Sequence, residues 1–118
     1  MKKGVLLASG KLLAQVQKTG NAIERARGLL GRPPPPAGCA LLIEPCAAIH
    51  TWAMAYAIDA VFLDARGCVV RVADNLLPWC FARCSAASAV LEFAAGEAAR
   101  LGLRVGIEVE WKEDEPEK

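Results

Sequence analysis

The chain has 118 residues, of which 54% are hydrophobic and 23% charged, values that suit one folded domain and exclude a disordered or collagen-like chain. The net charge is +1, from 14 basic and 13 acidic residues, so charge alone requires neither nucleic acid nor a membrane as a partner. Basic residues concentrate in residues 1–32, but no aromatic residues alternate with them as in a single-strand binding platform. We therefore do not expect nucleic acid to be a partner.

The chain contains five cysteines, an odd number that does not suit the paired disulfides of a small secreted domain. Cys80 and Cys84 are spaced like one half of a zinc site. Cys39 and Cys46 are too far apart to form the other half, and His50 is the only histidine. We therefore expect free thiols, no bound metal and no cofactor.

The apolar run over residues 4–10 is interrupted by Lys11, and no cleavage site typical of a signal peptide follows it. No apolar run reaches the ~20 residues that a membrane-spanning helix needs. Together with the odd cysteine count, these features predict a cytoplasmic protein without a membrane partner.

Turn and capping signals organise the first third of the chain. Apolar residues on either side of Ser9-Gly10 predict a β-hairpin. Thr19 or Asn21 can cap a helix, and apolar residues recur at helical spacing up to Leu30, which predicts a helix over 21–30 with one apolar face. The four prolines at 33–36 are typical of a rigid connector.

The remaining elements are mostly strands. A turn at Asp64–Gly67 predicts a second hairpin, residues 74–84 are predicted to be irregular, and a short helix is predicted over 96–101. The predicted strands are 39–43, an extended stretch over 48–54, 58–63, 68–73, 90–94 and 105–111.

These signals predict a single α+β domain over residues 1–111. It should be mainly antiparallel β, with a rolled or barrel-like sheet, one helix in the N-terminal half and a short one in the C-terminal half. Residues 112–118 are polar and acidic and are predicted to be a frayed tail.

Two motifs are distinctive as a pair: Arg27-Gly28-Leu29-Leu30-Gly31-Arg32, and Ile49-His50-Thr51-Trp52-Ala53-Met54 followed by Ile58-Asp59. Val90-Leu91-Glu92 and the glycines after it follow the two motifs along the chain and belong to the same pattern. Over about residues 20–111 the chain resembles the prokaryotic family called domain of unknown function 192. The resemblance implies a small, mainly β domain of unassigned activity. The family often has a basic residue and a proline where this chain has Ala55 and Ala57.

His50 and Asp59 lie in apolar stretches, where an unpartnered buried polar group would cost roughly 1–3 kcal/mol. We expect them to lie close together. They would form either a structural pair with a buried histidine, or a catalytic pair in which Asp59 orients His50 as a general base. Backbone donors, Arg27 and Arg32 are the other candidate partners of Asp59.

Arg27, Arg32, Thr51 and Met54 are the candidate ligand-binding residues. Either arginine can hold an anion through two parallel hydrogen bonds, and Thr51 and Met54 belong to the same motif as His50. The sequence predicts a non-catalytic module that binds a small ligand or a protein partner. The alternative is a small enzyme or an anion-binding site built around His50, Asp59 and an arginine, so the question of catalysis stays open.

Overall fold

The computed structural model describes residues 1–115, and within them the chain forms nine strands and two short helices. In chain order these are β1 Lys2–Ala8, β2 Lys11–Lys18, α1 Ala22–Arg27, β3 Cys39–Ile43, β4 Ala48–His50, β5 Ile58–Leu63, β6 Val69–Leu76, β7 Phe81–Arg83, β8 Ala89–Ala94, α2 Glu97–Arg100 and β9 Glu110–Glu113.

Seven of the strands form one sheet in the order β6-β5-β8-β3-β2-β1-β9, and β4 pairs separately with β7. All pairs are antiparallel except β2 with β3, which run parallel. The prediction of a mainly antiparallel α+β domain is therefore confirmed.

The large sheet is rolled but not closed into a barrel. The segment before β9, rather than β9 itself, meets the start of β6: the Val69 N–H donates to the Ile107 carbonyl at 2.8 Å and the Val109 N–H to the Gly67 carbonyl at 2.9 Å. A Cβ on Gly67 would lie 2.2 Å from the Val109 carbonyl oxygen, and its φ is +87°. This contact therefore requires glycine.

The apolar runs of β5 and β8 are explained by burial on both faces of the sheet. All six residues of β5 and five of the six in β8 are buried. One core forms around Leu6, Val16 and Phe93. The other, which we call the second core, forms around Ile43, Phe62 and their neighbours, and is covered by residues 28–30 and by the β4–β7 pair. The candidate site lies at the edge of this second core.

The N-terminal helix is shorter than predicted, and the apolar face predicted for it is not buried. The Asn21 side chain caps α1 by accepting the Glu24 N–H at 2.9 Å, but the helix ends at Arg27 because Gly28 takes φ 52°, ψ −128°. No residue of α1 is buried, and Ile23 is 81% exposed. Leu29 reaches the second core from the turn after the helix instead.

Turn geometry also changes the boundaries in the middle of the chain. The extended stretch predicted over 48–54 ends at His50, because Ala53 turns the chain with φ 63°. Residues 74–84 are not irregular throughout, since β6 continues to Leu76 and β7 lies at Phe81–Arg83. Both predicted hairpins are present, with positive φ at Ser9, Gly10 and Gly67.

The last strand begins and ends later than predicted. It spans Glu110–Glu113 and pairs with β1, and the Asp114 N–H donates to the Lys3 carbonyl at 2.9 Å. Residues 112 and 113 therefore belong to the sheet rather than to a frayed tail. Residues 116–118 of the predicted tail lie outside the described residues.

Candidate functional site

A cleft of about 210 Å³ opens at the edge of the second core. Its walls are residues 25–30, β4 with the turn that follows it, and Ile43 of β3, and Glu92 of β8 lines it as well. The cleft thus lies between the two motifs that the sequence analysis singled out as a pair.

Glu92 is a buried acid facing this cleft. It sits on β8 between Leu41 of β3 and Ala60 of β5, its two cross-strand partners, and is only 3% exposed. Its Oε1 atom is buried without a hydrogen-bond partner among the described residues. Gly28 covers it so closely that a Cβ there would lie 2.9 Å from Oε1.

Burial raises the pKa of Glu92 from its ordinary value of 4.5 to about 7, and the backbone N–H of Leu29 offsets part of that rise. Within residues 1–115, no Lys, Arg or His side chain forms a salt bridge with Glu92. A carboxyl group in apolar surroundings keeps its proton to higher pH, because the charged form loses its hydration there. Glu92 can therefore hold or release a proton near neutral pH.

His50 and Trp52 form an aromatic stack beside the cleft. Their ring centroids are 4.6 Å apart with an angle of 24° between the planes. The Trp52 N–H donates to Nδ1 of His50 at 3.3 Å, which places the imidazole proton of a neutral His50 on Nε2. His50 is exposed, so the structure corrects the prediction of a buried histidine.

The cleft also holds a thiol and an arginine. The Cys46 Sγ donates to the Ala48 carbonyl at 3.2 Å. Burial raises the pKa of this thiol, and the positive charge of Arg25 opposes the rise. Arg25 is half-buried, and its guanidinium forms neither a hydrogen bond nor a salt bridge with any residue from 1 to 115.

Thr51 ties the end of β4, where the aromatic stack lies, to the segment that precedes β7. Its hydroxyl donates to the Leu77 carbonyl and accepts the Cys80 N–H at 2.9 Å. Its backbone N–H donates to the Cys80 carbonyl at 2.9 Å, and its carbonyl accepts the Trp79 N–H at 3.0 Å. Thr51 is fully buried, so it positions the mouth of the cleft from within the protein.

We expect Thr51→Val to destabilise the domain by about 2 kcal/mol, because the isosteric valine leaves the Leu77 carbonyl and the Cys80 N–H without their buried partner. Thr51→Ser keeps the hydroxyl and is the matched control, with a smaller loss from the missing methyl group. Urea unfolding of both variants measures the difference. A valine variant as stable as the wild type would show that these hydrogen bonds contribute nothing.

Asp59 lies away from the cleft, and the predicted His50–Asp59 pair is wrong. Asp59 is fully buried. Its Oδ1 accepts the Asn75 N–H at 2.8 Å, and its Oδ2 accepts the N–H groups of Gly96 and Ala98, both at 2.9 Å. Backbone donors, one of the alternatives that the sequence left open, are therefore its partners, and Asp59 ties β5 and β6 to the start of α2.

The other predicted site residues divide between two places. Met54 and Arg27 line the cleft, although the Nε of Arg27 donates to the Leu30 carbonyl at 2.9 Å. Arg32 lines a separate groove of about 450 Å³ beside residues 33–36, and its Nε donates to the Gly28 carbonyl at 3.3 Å. The structure therefore brings together His50, Met54 and Arg27, but not Asp59, Thr51 or Arg32.

Sequence reasoning missed Glu92 and Arg25 as site residues. The signal for Glu92 was present, since it is the one charged residue in the apolar strand Ala89–Ala94. That signal is the same one that drew attention to Asp59. Arg25 offered no such signal, because it is one of several charged residues in a short helix that has no buried residue.

No group of three or more His, Cys, Asp or Glu side chains in residues 1–115 is arranged to hold a metal ion. Over the same range, no helix is both long enough and apolar enough to cross a bilayer.

Together, the fold and the cleft define a small domain with a rolled, open sheet and a buried carboxyl group facing a surface cleft. The chain belongs to the DUF192 family, described as "uncharacterized ACR", whose model matches residues 5–111. The family resemblance noted from the motifs is thereby confirmed. No curated protein matches the sequence.

Two solved structures share the fold. A protein of unknown function from Novosphingobium aromaticivorans superposes with a TM-score of 0.79 at 23% identity, covering 92% of this chain and 84% of its own. A protein from Sinorhizobium meliloti, provisionally named a transcription regulator, superposes with a TM-score of 0.80 at 19% identity, covering 93% of this chain and 92% of its own. At these identities the likeness concerns the fold.

Proposed function

We propose that this domain is a non-catalytic module of the cytoplasm that binds a small ligand, and that the cleft at Glu92 is its binding site. The observation that carries the proposal is the buried Oε1 of Glu92, which has no partner among residues 1–115. A buried polar atom without a hydrogen bond is costly, and the cost is largest when the group is ionisable. A ligand that donates a hydrogen bond to Oε1 would remove this cost.

The surroundings of Glu92 support the same proposal. Apolar side chains of Leu29, Ile49 and Met54 line the cleft, and Trp52 adds an aromatic wall. Small-ligand sites combine such apolar walls with a few polar groups that fix the orientation of the ligand. The volume of about 210 Å³ is below the usual range for drug-sized molecules, which begins at about 300 Å³, so the ligand should be smaller.

The two methionines of the chain make a direct test possible. Met54 lines the Glu92 cleft, whereas Met1 lines the separate groove beside the prolines. In protein labelled with ¹³C at the methionine methyl groups, a screen of small amines, amides and alcohols should yield compounds that shift the Met54 signal and leave Met1 unchanged. The proposal fails if no compound moves Met54, or if the active compounds move Met1 alone.

A small acid–base enzyme is the second candidate function. The observation that favours it is the Glu92 carboxyl, whose pKa of about 7 suits a general acid or base at neutral pH. The same samples separate the two functions. A binding module returns its ligand chemically unchanged after long incubation, whereas an enzyme converts it, and Glu92→Gln should then abolish the conversion.

A further inference from the structure

We propose that the Glu92 cleft takes a small amino carboxylate, with its amino group against Glu92 and its carboxylate held at the mouth by Arg25 and His50. This inference rests on the proposed binding function and names the ligand class. It follows from the placement of hydrogen-bond acceptors and donors along the cleft, from its charge and from its size.

The buried end of the cleft requires a donor. Oε1 of Glu92 is an acceptor without a partner in residues 1–115, and its cross-strand neighbours Leu41 and Ala60 offer no polar side chain. An ammonium group supplies both the missing hydrogen bond and the opposite charge. A carboxylate or phosphate at this position would repel the ionised Glu92, so the anionic end of the ligand cannot lie here.

The mouth of the cleft carries hydrogen-bond donors and positive charge, whereas its buried end carries an acceptor. Arg25, Arg27 and His50 line the cleft, and Glu92 is the only acid among the lining residues that the structure describes. The guanidinium of Arg25 has no partner in residues 1–115, whereas Arg27 already donates to the Leu30 carbonyl. Since Nδ1 of His50 accepts the Trp52 N–H, its Nε2–H remains as a donor. Arg25 and His50 are thus two donors suited to an anion.

The volume limits the distance between the two charged ends. The cleft of about 210 Å³ is smaller than the ~300 Å³ at which sites for drug-sized molecules begin, so it suits a short ligand with few non-hydrogen atoms. 4-Aminobutyrate has that size, and its three methylene groups match the apolar walls formed by Leu29 and Met54. An amino carboxylate of this length carries an ammonium group for Glu92 and a carboxylate for the donors at the mouth.

The test uses three related probes: 4-aminobutyrate, butylamine, which lacks the carboxylate, and butyrate, which lacks the amine. Affinities come from titrations of the Met54 methyl signal, with Met1 as the internal reference. We expect 4-aminobutyrate to bind at least about tenfold more tightly than either single-charge probe. Each charged contact is expected to contribute a factor of this order, as hydrogen bonds to ionised groups do.

Two variants identify which residue binds which end of the probe. Glu92→Gln should weaken 4-aminobutyrate and butylamine but leave butyrate unchanged or slightly tighter. Arg25→Gln should weaken 4-aminobutyrate and butyrate but leave butylamine unchanged. Arg104→Gln makes the same change of charge at an exposed arginine outside the cleft and should have no effect.

Several outcomes would overturn the inference, and they can be told apart from a failure of the proposed function. Butyrate binding as tightly as 4-aminobutyrate, or equal losses in the Arg25 and Arg104 variants, would refute the amino carboxylate class. If none of the three probes moves Met54 while another compound from the screen does, the ligand class is wrong but the binding site stands. If no compound of any class moves Met54, both proposals fall.

Discussion

Asp59→Ala is expected to lower the free energy of unfolding by about 4 kcal/mol, a large part of the 5–15 kcal/mol typical of a domain. The substitution leaves three backbone N–H groups, of Asn75, Gly96 and Ala98, without the carboxylate that accepts them. Hydrogen bonds to a charged group contribute roughly 1.5–3 kcal/mol each, and a buried donor left alone adds a penalty. Urea unfolding with tryptophan fluorescence measures the loss.

Three further variants show whether the backbone donors account for this loss. Asp59→Asn keeps one acceptor oxygen but turns an N–H₂ group toward the backbone donors, so its stability should lie between those of the wild type and Asp59→Ala. His50→Ala should cost less than about 1 kcal/mol because His50 is exposed. The double variant of His50 and Asp59 should show additive losses. Strong non-additivity would mean that the two residues are coupled after all.

Glu92 should make the domain less stable as the pH rises through neutrality. Its pKa is raised from 4.5 to about 7 in the folded state, so between these values the folded protein binds the proton more strongly than the unfolded chain does. The contribution of Glu92 to the free energy of unfolding is therefore fully present below about pH 4.5 and is lost as the pH rises through 7. A shift of this size corresponds to about 3 kcal/mol.

The measurement compares the wild type with Glu92→Gln between pH 4.5 and 8. Glu92→Gln has no titrating group at this position. The pH dependence that the other ionisable groups cause therefore largely cancels when the stabilities of the two proteins are subtracted. The lowered pKa of Glu97, for example, affects both proteins equally. The stability of the wild type relative to the variant should fall by about 3 kcal/mol across this range. A difference that stays constant with pH would show that Glu92 is ionised throughout and is not desolvated.

Most strands could be predicted from the sequence, because apolar runs and turn residues are local signals. Strands β3 and β5 match the predicted boundaries, and β8 differs by one residue. The apolar face predicted for α1 is not buried, because Ile23 and Ala26 have helical spacing but no neighbouring element to cover them. Periodicity shows which residues share a face of a helix, and tertiary packing determines whether that face is buried.

The site was harder to predict than the fold, for a physical reason. The partners of Asp59 are backbone N–H groups, which every residue except proline carries and which therefore leave no trace in the sequence. The importance of Glu92 depends on its cross-strand neighbours Leu41 and Ala60 being apolar and on Gly28 covering its carboxyl group. None of these residues is near Glu92 in the chain, so only the pairing of strands reveals that its Oε1 has no partner among residues 1–115.

We propose that the Glu92 carboxyl group is a buried hydrogen-bond acceptor whose partner is a bound ligand. Its ¹³C signal, followed by NMR during a pH titration, tests this directly. We expect the free protein to titrate near pH 7, and saturating 4-aminobutyrate to lower this pKa because a bound ammonium group favours the ionised form, while butyrate does not. A carboxyl that titrates near 4.5 both with and without the probes would contradict the account.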